Sequence, residues 1–249
     1  MKILEVKHIE KSFNDKQILK DVSFSLNFGE CLGIVGRSGC GKSTLVKIIS
    51  KFIDPDSGEI IFDGENITNS SVLRKIYKKM QMIFQNPEES FNPRQTLGWS
   101  IGEPLRNHKI NDIDKKIKNL LFEVGLTEEY KNRYPHEVSG GQCQRAAIAR
   151  AISLSPKLLI CDEATSALDI KNQQQITLLL QKLCKEKKIA MIFITHDLSI
   201  VKKIADRVIV MHDGQIVEEG TTENLINAPK SKFTQELIDA DFFKKSSSQ

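Results

Sequence analysis

The sequence contains few aromatic residues and no long hydrophobic run. Aromatic residues make up 6% of its 249 residues, and only one of them is tryptophan. No apolar segment approaches the roughly 18 residues that a membrane-spanning helix requires. No apolar stretch of the kind found in signal peptides follows Met1 and Lys2. We therefore expect a cytosolic protein unless a partner holds it at a membrane.

Cysteines with metal-binding or disulfide spacing are also missing. The five cysteines, at positions 31, 40, 143, 161 and 184, show no Cys-x-x-Cys spacing and no nearby histidine pairs. Zinc sites and disulfide frameworks typically show such patterns. The net charge is only +4. Because so mild a charge does not by itself indicate a nucleic-acid partner, we expect none.

Three regions of different periodicity follow one another along the chain. Up to about residue 30, apolar and polar residues alternate, as at Val22, Phe24, Leu26 and Phe28, which predicts half-buried antiparallel strands. From about 88 to 155 the pattern is helical. From 156 onward, strands and helices alternate, as in a parallel sheet. With 40% hydrophobic residues, the chain can form one large domain or two small lobes.

A glycine-rich loop follows the short apolar strand predicted at 31–35. The loop and the start of the next helix comprise Gly36, Arg37, Ser38, Gly39, Cys40, Gly41, Lys42, Ser43 and Thr44. The apolar residues that follow, Leu45, Ile48, Ile49, Phe52 and Ile53, have the spacing of one helix face. The loop should therefore lie at a helix N-terminus, where backbone N–H groups and the helix dipole favour phosphate. Lys42 would add a positive charge for the β- and γ-phosphates, and Ser43 would be the natural Mg²⁺ ligand.

Two further segments narrow the class of nucleotide-binding protein. The first is Ser139, Gly140, Gly141 and Gln142, at the start of an Ala-rich helix, and the second is an apolar strand at 158–161 followed by Asp162 and Glu163. Two adjacent carboxylates on an apolar strand are hard to explain structurally, because buried charges need partners. This order of segments resembles the ATP-binding cassette (ABC) ATPases, and the resemblance covers nearly the whole chain.

The resemblance implies an α/β fold for the whole chain, 1–249, as a single ABC ATPase domain. Its P-loop NTPase core, a mostly parallel sheet with flanking helices, would comprise about 1–87 and 156–235. That part would include an N-terminal antiparallel β subdomain. An inserted helical signature subdomain would occupy 88–155, and 236–249 would form a C-terminal tail.

The resemblance also assigns roles to single residues around ATP and Mg²⁺. Asp162 would hold Mg²⁺ through water, and Glu163 would be the general base that polarises the attacking water. Gln85 would contact both Mg²⁺ and that water, and His196 would touch the γ-phosphate. Phe13 would stack on adenine, although a core phenylalanine before a turn is the alternative.

The residues at 139–142 imply that two ATPase subunits work together. In the family, this segment caps the γ-phosphate of the ATP held by the other protomer, so that two ATP molecules join a head-to-tail dimer. Asp169 lies in a segment, 166–169, that resembles the family's dimer-contact loop. Val138 stands where leucine is commoner, which is an apolar exchange of little consequence.

Three functional classes share this family's motifs. They are the ATP-hydrolysing subunits of membrane transporters, the DNA-repair or chromosome-organising ATPases, and a class of translation factors. The repair class has long coiled coils, and no heptad run occurs here. The translation class has two cassettes on one chain, whereas each motif appears once here. The sequence therefore favours transport.

Residues 85–94 resemble the segment that follows the glutamine in importer ATPases for dipeptides, oligopeptides and nickel. Tyr134-Pro135-His136-Glu137, Ala228-Pro229 and Phe233-Thr234 fit the same group, although the two Asn-Pro pairs within 85–94 are also typical of simple turns. Many peptide-importer members carry a C-terminal extension with clustered cysteines, which is missing here. This favours, weakly, a member that serves nickel or a metal–chelator complex.

The resemblance further implies a set of partners. We expect two transmembrane permease subunits, a second ATPase subunit that is more often a paralogue than an identical copy, and, indirectly, an extracytoplasmic solute-binding protein. The chain would then sit on the cytoplasmic face of the cell membrane through the permeases. The cargo does not follow from the sequence, because the ATPase does not touch it.

Overall fold

The computed structural model describes residues 1–69, 73–165 and 168–246. The strands are β1 (Lys2–Phe13), β2 (Lys16–Asn27), β3 (Cys31–Val35), β4 (Ser57–Phe62), β5 (Glu65–Asn66), β6 (Met80–Ile83), β7 (Leu158–Asp162), β8 (Ala190–Ile194), β9 (Arg207–His212) and β10 (Gln215–Thr221). The helices are α1 (Lys42–Ile49), α2 (Leu73–Lys79), α3 (Leu97–Asn107), α4 (Ile113–Glu123), α5 (Gly140–Ile152), α6 (Ile170–Lys187), α7 (Leu198–Ile204), α8 (Thr222–Asn227) and α9 (Lys232–Ser246). Short 3₁₀ turns lie at Glu88–Ser90, Glu128–Asn132 and Pro135–Glu137.

The chain folds into two compact units. The first unit comprises residues 1–73 and 188–249, and the second comprises residues 74–187. The helical subdomain predicted at 88–155 falls within the second unit. The boundaries of this subdomain, at residues 88 and 155, stay a prediction.

The first unit contains the antiparallel sheet that the alternating pattern predicts. Its strand order is β2-β1-β4-β5. Val6 on the central strand β1 lies opposite Phe24 on β2 and Ile60 on β4, and all three side chains are buried. The polar residues between them point to the other face, as the period of two along a strand requires.

The same unit contains a second sheet segment with the order β10-β9-β3-β8. Strand β3 is parallel to both β8 and β9, and every residue of β3 is buried. A β-hairpin joins β9 to β10 through Asp213 and Gly214, whose φ angles of 45° and 81° suit a tight turn of the primed type. The parallel arrangement places the carboxyl ends of β3 and β8 at one edge, where α/β proteins typically bind ligands.

The second unit combines a pair of parallel strands with helices. β6 and β7 run parallel, with Met80 opposite Leu158 and Ile83 opposite Cys161. Helix α5 packs against α3, α4 and β6. Its Ala146, Ala149 and neighbouring small residues are buried, which allows close packing on every side. The α/β fold class predicted from the sequence is thus confirmed.

Helix α1 is shorter than its apolar spacing predicts. The sequence pattern extends the helical face to Phe52 and Ile53, but the helix ends at Ile49. Lys51 has a φ of 60°, and the N–H groups of Phe52 and Ile53 both donate to the carbonyl of Lys47. This is the left-handed helix ending that satisfies the last carbonyls of a helix. Phe52 is consequently exposed, and its assignment to the buried helix face is wrong.

All five cysteines are buried, and none of them forms a disulfide bond. Burial raises the pKa of the Cys143 thiol to about 12, and the pKa of Cys184 to about 12 as well. The thiols therefore behave as small apolar side chains. Within the described ranges, no helix has both the length and the apolar character needed to span a membrane.

The segment after β10 is anchored to that strand. The two carboxylate oxygens of Glu218 accept hydrogen bonds from the backbone N–H groups of Lys230 and Ser231, each at 2.9 Å. Helix α9 then begins, and its Ile238 is buried. Residues 236–246, which the sequence analysis assigns to a tail, are therefore helical, because α9 packs Ile238 into the core. Residues 247–249 lie outside the described ranges.

Glu218 should stabilise this unit in a pH-dependent way. Burial raises the pKa of its carboxyl group, but the nearby Thr234 hydroxyl, the N–H groups of Lys230 and Ser231 and the charge of Lys230 lower it by more, and the net result is a lowered pKa. A lowered native pKa means that the stabilisation is present above the unfolded pKa and is lost as the pH falls through the native value. We expect Glu218→Gln to cost about 1 kcal/mol at pH 7, after allowing for partial exposure.

Thermal unfolding across pH 7 to pH 3 would check this, with the exposed Glu59→Gln as control. The melting temperature of Glu218→Gln should fall below wild type by about 2–4 °C at pH 7, and the gap should close in acid. A gap that stays constant with pH, or that Glu59→Gln reproduces, would show that the Glu218 charge has no such role.

Candidate functional site

The glycine-rich loop connects β3 to α1 in the first unit. At Gly36, a Cβ would lie 2.3 Å from the carbonyl oxygen of Met211. No other residue fits there without moving β9, so the loop passes close to that strand. The N-cap of α1 is Gly41, which has no side chain, and its carbonyl accepts the N–H of Leu45. The first N–H groups of the helix have no intrahelical partner, and this makes the loop suitable for an anion.

Lys42 places a buried positive charge at this loop. Its side chain is only 5% exposed, and its Nζ donates to the carbonyl oxygens of Gly36 at 2.8 Å and Arg37 at 3.0 Å. These acceptors are neutral, so they solvate the ammonium group without cancelling its charge. The loop therefore holds a cation that an anionic ligand would complement, and the role of Lys42 at the phosphates stays a prediction.

His196 and Phe13 belong to the same unit. Ile34 on β3 pairs with Ile194 on β8. Gly36 and His196 each lie two residues after this pair, so both are at the carboxyl edge of the sheet. Phe13, the last residue of β1, is 46% exposed. This exposure contradicts the alternative that Phe13 is a core residue. The Nζ of Lys11 lies 5.4 Å from the centroid of its ring, and stacking on adenine stays a prediction.

Gln85, Asp162 and Glu163 belong to the second unit. Ile83 on β6 pairs with Cys161 on β7. Gln85 and Glu163 each lie two residues after this pair, at the carboxyl edge of the two strands. One carboxylate oxygen of Asp162, Oδ1, is fully buried. Glu163 has a φ of 48°, in the left-handed region that non-glycine residues avoid. Strain of this kind, of about 1–3 kcal/mol, is typical of functional positions.

Ser139 and Gln142 form a capping box at the start of α5. The N–H of Gln142 donates to Ser139 Oγ at 3.3 Å, and the N–H of Ser139 donates to Gln142 Oε1 at 2.9 Å. The other atom of the Gln142 amide, Nε2, donates to the Tyr130 hydroxyl at 2.7 Å. This box fixes the helix start while it leaves the Ser139 hydroxyl proton free to donate. Tyr130 was not predicted from the sequence, because its partner lies 12 residues away in a different element.

Asn172 is a second residue that the sequence analysis misses. Both carboxylate oxygens of Asp169 accept from Asn172, from its N–H at 2.9 Å and its Nδ2 at 2.6 Å, and these bonds lower the pKa of Asp169. The amide oxygen of Asn172 also lies beside the segment 139–142, 3.0 Å from where a Cβ on Gly141 would be. Asp169 and Gly141 are thus neighbours through Asn172. Ser166 and Ala167, the first residues of the predicted dimer-contact loop, lie outside the described residues.

Comparisons with known proteins identify the family. The sequence model of the ABC transporter family matches residues 19–166 of this chain. The chain belongs to the ABC transporter family. The oligopeptide transport ATP-binding protein OppF of Haemophilus influenzae is 43% identical over 257 residues, covering 96% of the chain and 77% of that protein. The glutathione import ATP-binding protein GsiA of Pectobacterium atrosepticum is 44% identical over 227 residues, covering 89% of the chain but 36% of that longer protein.

Solved ABC structures share the fold. One is cbiO1 of Clostridium perfringens, part of an ABC transporter complex, with a TM-score of 0.83 and 29% identity over 100% of this chain and 95% of that one. Another is a dimeric ATP-binding cassette in a post-hydrolysis state bound to ADP and phosphate, with a TM-score of 0.79 and 30% identity over 88% of this chain and 98% of that one. The ABC chain described here is accordingly an ATP-binding subunit that hydrolyses ATP.

Backbone strain at Glu163 can be tested by comparing the stability of Glu163→Gly and Glu163→Gln, which both lack the carboxylate. We expect Glu163→Gly to melt about 2–4 °C above Glu163→Gln, because glycine removes roughly 1 kcal/mol of left-handed strain. At the exposed residue Glu186 in the last turn of α6, the same two substitutions should show the reverse order, because glycine has a lower helix propensity than glutamine. If glycine is the less stable at both positions, the strain at Glu163 is absent.

Proposed function

We propose that this ABC ATPase binds Mg-ATP at a dimer interface and couples its hydrolysis to the import of a small solute. The observation that carries the proposal is that one chain contains two helix starts suited to binding an anion. The first is α1 with its buried Lys42, and the second is α5 with its Ser139 cap. A phosphate-loop ATPase that works alone needs only the first.

The first unit supplies the groups that bind the nucleotide. Lys42 and the N–H groups at the start of α1 bind the β- and γ-phosphates, because together they offer a fixed charge and fixed donors. The exposed ring of Phe13 stacks on adenine. His196, at the same sheet edge as the loop, contacts the γ-phosphate.

Oxygen ligands of the kind that Mg²⁺ prefers are present at the predicted positions. Ser43 offers a hydroxyl, Gln85 an amide oxygen and Asp162 a carboxylate. Within the described residues, no cluster of three or more His, Cys, Asp or Glu side chains could hold a metal alone. This fits an ion that takes its remaining ligands from phosphate and water.

Glu163 is the proposed general base. It orients and polarises the water that attacks the γ-phosphorus, and Gln85 contributes to placing that water. The left-handed backbone of Glu163 is consistent with a side chain held for chemistry at a cost in stability. Mg²⁺, when bound with ATP, neutralises charge that develops on the phosphate oxygens.

The capped start of α5 serves the other protomer's ATP. Ser139, Gly140 and Gly141 present a hydroxyl and backbone N–H groups, and Gln142 holds them in place through the capping box. Asp169 and its Asn172 contact lie beside this surface and would meet the partner in the closed dimer. The partner is a second ATPase subunit, a paralogue in preference to an identical copy.

The names of the relatives guide the choice of cargo and partners. Those with 43–44% identity are import or transport ATP-binding proteins for oligopeptides and glutathione. Peptides are therefore the favoured cargo class, and nickel or a metal–chelator complex is the alternative. The subunit would be held at the cytoplasmic face of the cell membrane by two permeases, with a solute-binding protein acting on the far side.

A glutamine at position 163 tests the chemistry. We expect Glu163→Gln to bind ATP as tightly as wild type while hydrolysis falls by about 10²–10⁴-fold, because shape is kept and the base is lost. The variant should accumulate as an ATP-bound dimer, alone or with its paralogue, which light scattering would detect. Hydrolysis above half of the wild-type rate would remove Glu163 from this role.

The composite site is tested by comparing two changes. Lys42→Ala should weaken ATP binding to the single subunit, because it removes the phosphate-binding charge. Gly141→Asp should leave that binding intact but sharply lower hydrolysis, because its carboxylate would repel the partner's γ-phosphate as water is excluded. Gly141→Ala, the control, adds the Cβ beside Asn172 without the charge and should retain more activity. Hydrolysis that is linear in protein concentration, partner-independent and unaffected by Gly141→Asp would contradict the shared site.

A further inference from the structure

Phe233 has a structural position that the ATPase chemistry above does not explain. It lies in the first turn of α9, is buried, and its ring stacks on His212 at the end of β9, with ring centroids 4.0 Å apart and planes inclined by 27°. The residue before His212 is Met211, whose carbonyl oxygen approaches Gly36. Phe233 therefore lies beside β9, the strand that borders the glycine-rich loop at 36–44, called the phosphate loop below.

The side chain of Arg37 extends from the phosphate loop to α9. Its guanidinium carbon lies 5.3 Å from the centroid of the Phe233 ring, and its Nη2 donates to Oε2 of Glu236 at 3.4 Å. The carbonyl of the same residue accepts the Nζ of Lys42 at 3.0 Å. One residue thus joins the start of α9, by its side chain, to the phosphate-binding lysine, by its backbone.

The residues beneath this contact are buried and hydrogen-bonded. Phe233 and Ile238 belong to the same buried cluster as Val35, the residue that leads into the loop, and Val210 of β9. Glu218 on β10 fixes the chain at Lys230 and Ser231, two residues before Phe233. The Phe233 side chain and the start of α9, which carries Glu236, are therefore held in place independently of Arg37.

We propose that Phe233 and Glu236 are positioning residues that hold Arg37 and thereby set the affinity of the phosphate loop for ATP. The proposal rests on the proposed function in one respect, that ATP binds at this loop. A loop that is already ordered loses less conformational freedom on binding than one that must be ordered by the ligand. Anchoring Arg37 fixes the carbonyl that orients Lys42.

The sign of the effect separates positioning from simple charge. Glu236 carries a negative charge, so by Coulomb's law alone its removal would strengthen the binding of an anionic nucleotide. If Glu236 acts by holding Arg37, its removal weakens binding instead. Because the Arg37 and Glu236 side chains are 63% and 48% exposed, the effect should be modest, about two- to fivefold in the dissociation constant.

A double-mutant cycle on the purified subunit measures this coupling. The dissociation constant of a fluorescent ATP analogue with Mg²⁺ is determined for wild type, Glu236→Gln, Arg37→Met and the double variant, together with each melting temperature. We expect Glu236→Gln to raise the dissociation constant two- to fivefold in wild type and to have no effect in the Arg37→Met background. Phe233→Leu, which keeps an apolar side chain but removes the ring, should weaken binding similarly at temperatures well below its melting transition.

Asp239→Asn provides the matched control, because it removes the same charge from the same helix one turn further on. It should leave ATP binding unchanged. In steady-state hydrolysis with the partner subunits, Glu236→Gln should raise KM for ATP while kcat stays the same. A purely structural role would instead lower the melting temperature and leave KM unaltered.

Two results would overturn the proposal. One is an unchanged or tighter dissociation constant for both Glu236→Gln and Phe233→Leu, and the other is an equal effect of Glu236→Gln in both Arg37 backgrounds. Failure of the proposed function would give a different result: the wild-type chain would still bind ATP but would not hydrolyse it when transport partners are present.

Discussion

The buried ammonium group of Lys42 is the constraint on which the phosphate loop depends. A charge that is 5% exposed requires partners, and those that the structure supplies are backbone carbonyls of the loop itself. The loop is therefore shaped around its own cation. The close approach of Gly36 to Met211 and the position of Arg37 both follow from that shape. The loop and its buried cation thus form together as one folded feature.

The parts of this site that are local in sequence could be predicted, and the parts that depend on distant residues could not. The loop, the capped start of α5 and the strand that ends in Asp162 each arise from a few consecutive residues with known preferences for turns, caps and buried strands. Ser139 was predicted only to lie at the start of the helix, although its spacing from Gln142 is the one that a capping box requires. By contrast, Arg37 and Glu236 are separated by 199 positions. No periodicity links them, because the contact exists only after the hairpin of β9 and β10 has placed α9.

Helix α1 illustrates the limit of periodicity in a different way. Leu45, Ile48 and Ile49 obey the helical spacing and are buried. Phe52 continues the same spacing, yet the backbone leaves the helix at Lys51, where a left-handed residue satisfies the last carbonyls. Spacing reports which residues could share a face, whereas the end of a helix is decided by how its terminal carbonyls are paired. Tyr130 and Asn172 escaped prediction for a related reason, since each is recognised only by the partner that it contacts.

The burial of all five cysteines has a practical consequence for spectroscopy. A thiolate is the reactive form, and burial keeps the pKa of Cys143 and Cys184 near 12, far above the pH of a labelling reaction. Buried native thiols also lie out of reach of a bulky maleimide reagent. A cysteine introduced on an exposed position would therefore be the preferred target. Cys143 and Cys184 therefore need no replacement before a single fluorophore or spin label is attached elsewhere on the chain.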